Sequence, residues 1–542
     1  MSAIVECVPN FSEGRNQETI DAIADAIRQT NDCHLLDVDP GPSTNRTVYT
    51  FVGNRESVVE GALNAARIAK ERIDMTKHKG AHPRMGALDV CPFIPISGMT
   101  PEECVDACAV EFARRLAAEL IVPVYLYDRA AKCDARRELA NIREGEYEGL
   151  AEKIVKPEWK PDYGPAQLVG RWGASVVGVR KFLIAYNVNL LGTKEQAHRI
   201  ALAIRTSGRG GANKLKCCKA LGWYLDEVEL AQVSINLTDF EVTPPHVAFE
   251  ECSRRAKELN LGVVGSEIVG LVPLAALLVA ADYYIKKENL FVIGEKRKIR
   301  LAVERLGLDS ISKFIPEKKI IEYMIGLNED GPLVSMSVRQ FIESLSSRTS
   351  TPGGGSASAA FAAMGAALGT MVGWMSFGNK KFAPLDAIMR TAIEPLHSNV
   401  QKLLPLIDAD TNAFDDYMAA RKLPNETSEE QAKRDKAMQA GLLTAIRIPM
   451  SVMHAVNDCW PALQTIAEKG NFKCISDVQV GAKGLEAGVF GAYHNVMVNC
   501  SELSDDALRA KVEQDAKDAL NVGLTRSRAI FDLVEKRVSD VI

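Results

Sequence analysis

Through the first 325 residues, short β-rich apolar runs alternate with stretches of helical period. The runs at 33–38, 48–52, 120–126 and 182–190 predict strands, and the patterns at 19–28 and 101–119 predict helices. Such alternation implies sheets covered by helices. A Gly- and Val-rich stretch at 173–181 precedes FLIAYNVNLL and TKEQAHRIALAIR, which open a new strand-and-helix unit, so a subdomain boundary is expected near 181. The second unit has further predicted elements: a strand at 232–237, a helix at 245–259 and a strand from 263. The segment GLNEDGPLVSM gathers Gly, Asn, Asp and Pro, and 327–336 reads as a linker. From 337 to 542 helical period runs on almost without strand signals. The expected architecture is multidomain: two α/β subdomains, 1–181 and 182–326, then an all-α helical bundle, 337–542. No repeat with a period of 20–50 residues is visible.

Composition narrows the class. Of 542 residues 47% are hydrophobic and 25% charged, so the chain is globular and neither disordered nor fibrous. The 65 basic and 70 acidic residues leave a net charge of −5, and no basic surplus points to nucleic acid. The amino end lacks a basic leader before an apolar run and carries Glu6, so a cytosolic protein is expected. Twelve cysteines are too sparse for a disulfide scaffold, and Cys104 and Cys108 have no second pair or His that would make a metal site. Residues 356–377 carry no charge, but Ala, Gly and Ser dominate. They suit a tightly packed helix–helix interface better than a membrane span.

Several motifs could carry chemistry. His78 and His82 stand in HKGAHPRMGALDV, where Gly80 and Pro83 break any helix, so a zinc-binding HxxxH is disfavoured and a loop histidine able to exchange protons near neutral pH is the better reading. Arg84 follows in the same loop. Asp37 and Asp39 end an apolar run before a Pro/Gly turn and Asn45–Arg46; a carboxylate beside an Arg suits orientation of a histidine or capture of an amino-acid substrate, while loop capping explains Asp equally well. In PDYGPAQLVGRWGAS, Tyr163, Trp172 and the glycines would suit a flat heteroaromatic ligand. TPGGGSASAA starts a helix with exposed donors but lacks the lysine of a phosphate-binding loop. In LLPLIDADTNAFDDYM, Asp410 shares a helical stripe with Leu403, Leu406, Ile407, Phe414 and Tyr417, whereas Asp408 turns to roughly the opposite side. A carboxylate in an apolar stripe should have a raised pKa and serve as a proton carrier; a cap at a helix begun by Pro405, or a core pair with an Arg, is the structural alternative. Asp477, Asn495 and Asn499 are further polar residues in apolar helical texture.

Taken together, VECVPNFSEGRN, DVDPGPSTNRTVYTFVG, HKGAHPRMGALDVCPFIP, PDYGPAQLVGRWGA, FLIAYNVNLLGTKEQAHRIA, PGGGSASAA and DADTNAFDDY closely resemble the formimidoyltransferase-cyclodeaminase family, in order and over essentially the whole chain. The resemblance implies that the α/β half moves a formimidoyl group from N-formimidoyl-L-glutamate to nitrogen five of tetrahydrofolate. The helical half then closes the ring and releases ammonia, leaving methenyl-tetrahydrofolate, in histidine degradation. It implies a catalytic His82, and a folate-binding loop of Tyr163, Gly164, Pro165, Ala166, Gln167, Leu168, Val169, Gly170, Arg171 and Trp172. It also implies a looser folate contact at Lys436. Its cyclodeaminase carboxylate falls on Asp408 or Asp410, between which the stripe selects Asp410. Asp39, Arg46, Arg84, Asp408, Asp477 and Asn495 are secondary candidates. Tetrahydrofolate, as a polyglutamate, is the implied co-substrate, with no metal. A homo-octameric ring of dimers is implied as well, and so is peripheral association with the Golgi, centrosome or cytoskeleton. The 356–377 helix is the candidate interface, and basic clusters at Arg209, Lys214, Lys216 and Lys219 or at Lys286, Lys287, Lys296, Arg297 and Lys298 could tether the polyglutamate. Two rival readings are a catalytically dead half acting as scaffold and a nucleotide-dependent ligase; the intact His82 loop and DAD helix oppose the first, and the missing lysine opposes the second.

Overall fold

The computed structural model describes residues 3–42, 44–80, 83–208, 214–326 and 331–540. These divide into two compact units, Met1–Leu290 with Glu295–Asn328, and Phe291–Gly294 with Glu329–Ile542.

The first unit opens with β1 (Ile4–Cys7), β2 (Asn10–Phe11), α1 (Gln17–Arg28), β3 (Cys33–Gly41), β4 (Arg46–Gly53), α2 (Arg55–Arg72) and β5 (Leu88–Ser97). α3 (Pro101–Cys104) runs through one π turn, Val105–Val110, into α4 (Glu111–Leu120), and β6 (Val124–Asp128), α5 (Leu139–Arg143), α6 (Glu146–Lys153) and β7 (Ser175–Val179) follow. β1 and β2 both lie between β4 and β5, β3 pairs with the far side of β4, and β7 and β6 extend the sheet in parallel beyond β5. Val5, Cys7, Phe51, Cys91 and Phe93 alternate onto the face covered by α1, α2 and α4, where they bury a continuous apolar core.

A second sheet follows from β8 (Ile184–Leu191), α7 (Lys194–Ile204), β9 (Cys218–Leu225), β10 (Leu230–Leu237), α8 (Pro245–Glu258) and β11 (Gly262–Val269), in antiparallel order β11–β8–β10–β9. This is a split βαβ, or ferredoxin-like, arrangement. The same order of elements runs from β1 to β5 with β3–β4–β1–β5 neighbours, so the unit contains a structural repeat far longer than the periods that a sequence scan detects. α9 (Leu274–Lys287), α10 (Glu295–Leu306) and the short α11 (Pro316–Lys319) and α12 (Ile321–Met324) complete it.

Two sequence expectations shift. The run at 120–126 is not one strand, because Leu120 ends α4, Ile121 takes a left-handed φ of 54° and the strand starts at Val124. The 173–181 stretch, expected to be a crossing between subdomains, is an inner strand: all of Ser175–Val179 is buried between β5 and β6.

The second unit is helical: α13 (Val338–Leu345), α14 (Gly354–Ser376), α15 (Asp386–Arg421), α16 (Ser428–Lys469), α17 (Ile475–Cys500) and α18 (Asp506–Ser539). Phe291, inside the span expected to be α/β, stacks its ring 5.3 Å from Trp374 and 5.0 Å from Phe377 of this unit. Pro405, a suggested helix start, lies well inside α15. α14 is long and apolar enough to cross a membrane by length and composition, yet it is 61% buried inside the bundle. Its small face runs antiparallel to Gly481, Gly484, Gly488 and Gly491 of α17: a Cβ on Gly484 would come 2.9 Å from the Phe361 carbonyl. The small-residue interface is therefore filled within the chain, and its outer face carries larger exposed side chains, Phe361, Met364 and Met375.

Candidate functional sites

His82 lies outside the described residues, but the chain on both sides of it is tightly held. His78 Nε2 lies 2.8 Å from the Asn45 carbonyl, and its Nδ1 accepts from Arg84 Nε at 3.2 Å. That pair of partners requires the neutral Nε2–H tautomer, and burial lowers the pKa in the same sense. Asn45 ties the loop to two further motifs, accepting from the Gly14 N–H at 3.0 Å and donating to the Lys79 carbonyl at 3.0 Å. Arg84 is buried and donates to Glu146, to both oxygens of Glu148 and to His78, so all five of its N–H groups are engaged. It clamps the loop and has no donor left for a substrate carboxylate. Lys79, Gly80, Arg84, Gly145, Glu146 and Glu148 surround an open cavity of about 580 Å³.

A second cavity of about 700 Å³ lies between the two sheets. Arg46, Arg129, Arg137, Arg143, Arg180, Lys181 and Lys219 line it, against Asp128, Glu138 and Asp239. This cationic excess focuses a positive potential on a space walled by low-dielectric protein, the environment a dicarboxylate needs. Arg143 is held by an ion pair to fully buried Asp89, whose other oxygen accepts the Met85 N–H at 2.9 Å. Lys153 fixes the helix that carries Arg143 by donating to the carbonyls of Asn141, Ile142 and Glu144 at 2.9–3.0 Å. Of the early candidates Arg46 and Lys219 line this cavity, Lys219 having been singled out for a polyglutamate tail; Asp39 is exposed on β3. Sequence reading missed Arg143 and Arg180, although an Asp89 within an otherwise apolar strand is a visible sign of a buried cation.

The 163–172 loop folds over the end of β6. Tyr147 Oη donates to the Gly170 carbonyl at 2.7 Å, which links the loop to α6 and hence to the Arg84 clamp. Its aromatic residues do not form an open platform. Trp172 is 1% exposed and donates from Nε1 to Ser175 Oγ at 3.0 Å, and Tyr163 packs on the core under Lys132. The parts open to solvent are Gly164, Ala166, Gln167 and Arg171.

In the helical unit the two aspartates of the DAD motif face different neighbours. Asp408, 7% exposed, accepts from the Leu333 and Val334 N–H groups at 2.7 and 3.2 Å. Asp408 does turn to a different side of α15 from Asp410, and that side is covered by residues 331–334, which fold back over it. Asp410 faces the start of α14: an added Cβ on Gly355 would come 2.0 Å from its Oδ1, and its Oδ2 lies 3.3 Å from Ser356 Oγ. The donors of the PGGGS helix start thus meet an anion of the chain itself. Burial, the largest influence, raises the Asp410 pKa, and hydrogen bonding by Ser356, through its side chain and then its main-chain N–H, opposes the rise. Among the described residues no Lys, Arg or His forms an ion pair with it. Asn495 Nδ2 lies near Gly354 and donates to the Gly491 carbonyl at 2.8 Å. Asp477 stands 18 residues before Asn495 on the same helix, about 27 Å away, and joins no such group. Lys436 is exposed on α16.

A cavity lined by arginines in a duplicated α/β unit, and in a helical bundle a half-buried carboxyl with no ion-pair partner among the described residues, mark two separate candidate sites, the pattern of an enzyme with two activities. Family models agree: "Formiminotransferase domain, N-terminal subdomain" matches 4–180, "Formiminotransferase domain" 185–326 and "Formiminotransferase-cyclodeaminase" 337–518. The formimidoyltransferase-cyclodeaminase of Sus scrofa is 55% identical over 99% of this chain and all of its own length. Glutamate formimidoyltransferase of Streptococcus pyogenes serotype M1 is 43% identical over 53% of the chain and 95% of its own length. Methenyltetrahydrofolate cyclohydrolase of Methylorubrum extorquens is 32% identical over 38% of the chain and 98% of its own length. The chain belongs to the formimidoyltransferase-cyclodeaminase family and is a bifunctional folate enzyme of that kind.

Proposed function

We propose that the two activities divide between the units, with His82 the acid–base group of formimidoyl transfer and Asp410 that of ring closure with loss of ammonia. The observation that carries this reading is Asp410 itself, a half-buried carboxyl at a glycine-lined helix start, with no cation paired to it among the described residues. In the first unit the cavity lined by Arg46, Arg143 and Arg180 suits the two carboxylates of N-formimidoyl-L-glutamate. A histidine in the clamped 78–84 loop takes the proton from nitrogen five of tetrahydrofolate as that nitrogen attacks the formimidoyl carbon, and returns one to the departing glutamate nitrogen. The exposed edge of the 163–172 loop, at Gly164, Ala166, Gln167 and Arg171, contacts the folate through main chain and polar groups.

In the second unit nitrogen ten attacks the formimidoyl carbon, whose imine nitrogen is protonated, and a C–N bond forms while the C=N becomes a C–NH2 amine. Asp410 gives its proton to the amine, the C–N bond to that amine breaks with ammonia leaving, and the proton on nitrogen ten returns to Asp410. Asn495 borders this space; Lys436 would reach a more distant part of the folate, and Asp477 has no place in it.

The co-substrate is taken as a polyglutamate whose anionic tail is tethered at Lys219 and its basic neighbours Lys214 and Lys216, so that the intermediate is retained between sites. Arg209 of that cluster lies outside the described residues, while in the other cluster Lys287 and Lys298 already pair with Glu250 and Asp282. The active form is a cytosolic homo-oligomer, with organelle or filament contact as a secondary role. The test is His82→Ala: transferase activity should fall by ~10²–10⁴-fold while ammonia release from supplied formimidoyl-tetrahydrofolate persists. Transferase turnover within about threefold of wild type would refute the assignment.

A further inference from the structure

Ser356 is fully buried and its hydroxyl is placed to donate to either of two acceptors, the Ile407 carbonyl at 2.8 Å or Asp410 Oδ2 at 3.3 Å, with Thr411 Oγ1 at 3.2 Å as a third oxygen neighbour. A serine hydroxyl has one proton to give and two lone pairs to receive with. The Ile407 carbonyl can only accept, and it is by far the nearest. The Ser356 proton therefore points at Ile407, which turns the oxygen's lone pairs toward Thr411 and Asp410. A lone pair facing an ionised carboxylate oxygen would be repulsive; facing a protonated one it receives a hydrogen bond. On the other carboxyl oxygen Gly355 leaves just enough room, and the Ser356 main-chain N–H also donates to the group.

We propose that Ser356 is a positioning residue for deamination: its hydroxyl gives its own proton to Ile407 and holds the proton of Asp410 on Oδ2, ready for the leaving amine. This rests on the reading of Asp410 as the deamination acid. Among the described residues no Lys, Arg or His forms an ion pair with Asp410. α14 contributes Gly354, Gly355, Ser356 and Ser358, α17 contributes Asn495, and on α15 itself the nearest acids are Asp408, engaged with residues 333–334, and Asp415, beside Thr351.

The two orientations of the hydroxyl predict opposite outcomes. If it accepts from Asp410, Ser356→Ala removes support for the acid form. The alkaline limb of ammonia release from supplied formimidoyl-tetrahydrofolate should then move down by about half to one pH unit, with kcat lowered several-fold and KM unchanged. If it donates to the carboxylate, the same variant moves the limb up; if it only packs, the limb stays. Either of those results overturns the proposal. Ser356→Cys, nearly isosteric and a poorer acceptor, should move the limb the same way by less, and an upward shift would again overturn it. Transferase activity and helicity of the full chain report that each variant is folded. Asp410→Asn separates the two claims. If that variant keeps ammonia release, the assignment of Asp410 falls and this proposal with it. If it is inactive while the Ser356→Ala limb is unmoved or raised, the proposal alone falls. Adding Ser356→Ala to Asp410→Asn should lower the residual rate no further.

Discussion

The two units treat buried charge in opposite ways. In the α/β unit, ionised groups are numerous and are held in pairs or clamps: Arg84 with Glu146 and Glu148, Arg143 with Asp89, Lys153 with three carbonyls. Several of these cations, paired Arg143 and Lys181 among them, meet Arg46, Arg180 and Lys219 around one cavity. In the helical unit the two carboxyls of the DAD motif meet neutral groups, Asp408 the main-chain N–H groups of Leu333 and Val334 and Asp410 the Ser356 hydroxyl. The first arrangement would suit an anionic ligand and the second a carboxyl that carries a proton, as the proposed division of the chemistry requires.

The largest test of that contrast is Asp410→Asn. The amide keeps the shape but cannot exchange the proton, so ammonia release should fall by ~10²–10⁴-fold with transferase activity unchanged, and the formimidoyl intermediate should accumulate in a coupled assay. A variant that loses both activities would mean that the units do not divide the chemistry. Asp408→Asn gives the control, since it disturbs the strap at 333–334 and should lower stability more than catalysis.

One group in the α/β unit breaks the pattern of paired charge. Glu6 on β1 is almost fully buried, and burial pushes its carboxyl up to about 8, with Arg180 pulling down and Glu322 adding to the rise. Its folded pKa is above its unfolded one, so the stability it contributes as a neutral group is complete below about pH 4.5 and is lost as pH rises toward 8. Thermal melting at pH 5 and pH 8 should therefore show a fall that Glu6→Gln abolishes, on the order of a few kcal/mol. Equal pH dependence in both proteins would show that the unit also holds Glu6 as an ion.

A smaller effect should come from the cavity. Arg46→Met removes one charged donor and should raise KM for N-formimidoyl-L-glutamate roughly 10–100-fold, with kcat and KM for tetrahydrofolate little changed. If KM for the folate rises instead, the cavity holds the other substrate.

The contrast also explains what the sequence could reveal. Asp410 was readable because the helical period brings Leu403, Ile407 and Asp410 to one face within two turns, so local spacing was enough. The fate of Asp408 was not, because it depends on where residues 331–334 return. In the α/β unit, strands β3, β4, β8 and β10 are legible as apolar runs, whereas β7, in the Gly- and Val-rich stretch just before the boundary expected near 181, is not legible as a strand until its neighbours β5 and β6 are known. The cation-lined cavity was the least legible feature. Arg46, Arg143 and Lys219 meet only after two sheets have formed, and no window of sequence contains them.

The smallest expected effect concerns Trp172, whose type and place in a folate-binding loop suggested a stacking platform. Its ring is in the core and its one polar atom is satisfied by Ser175 Oγ, so no face of it is available to a pterin. Trp172→Phe should then lose one buried hydrogen bond and some packing, lowering stability by about 1–3 kcal/mol, through the unpaired Ser175 hydroxyl and the space left by the smaller ring. Catalysis should hardly respond: KM for tetrahydrofolate should stay within about twofold, while Gln167→Ala and Arg171→Ala, on the exposed edge of the same loop, should raise it with no loss of stability. Were the loop instead to open on binding and stack Trp172 on the ligand, Trp172→Phe would weaken folate affinity by more than either exposed variant, and titration against the intrinsic fluorescence of the unsubstituted protein would show the indole quenched as tetrahydrofolate saturates. The ranking of these three variants decides between a loop that contributes its main chain and polar edge and one that contributes its aromatic ring.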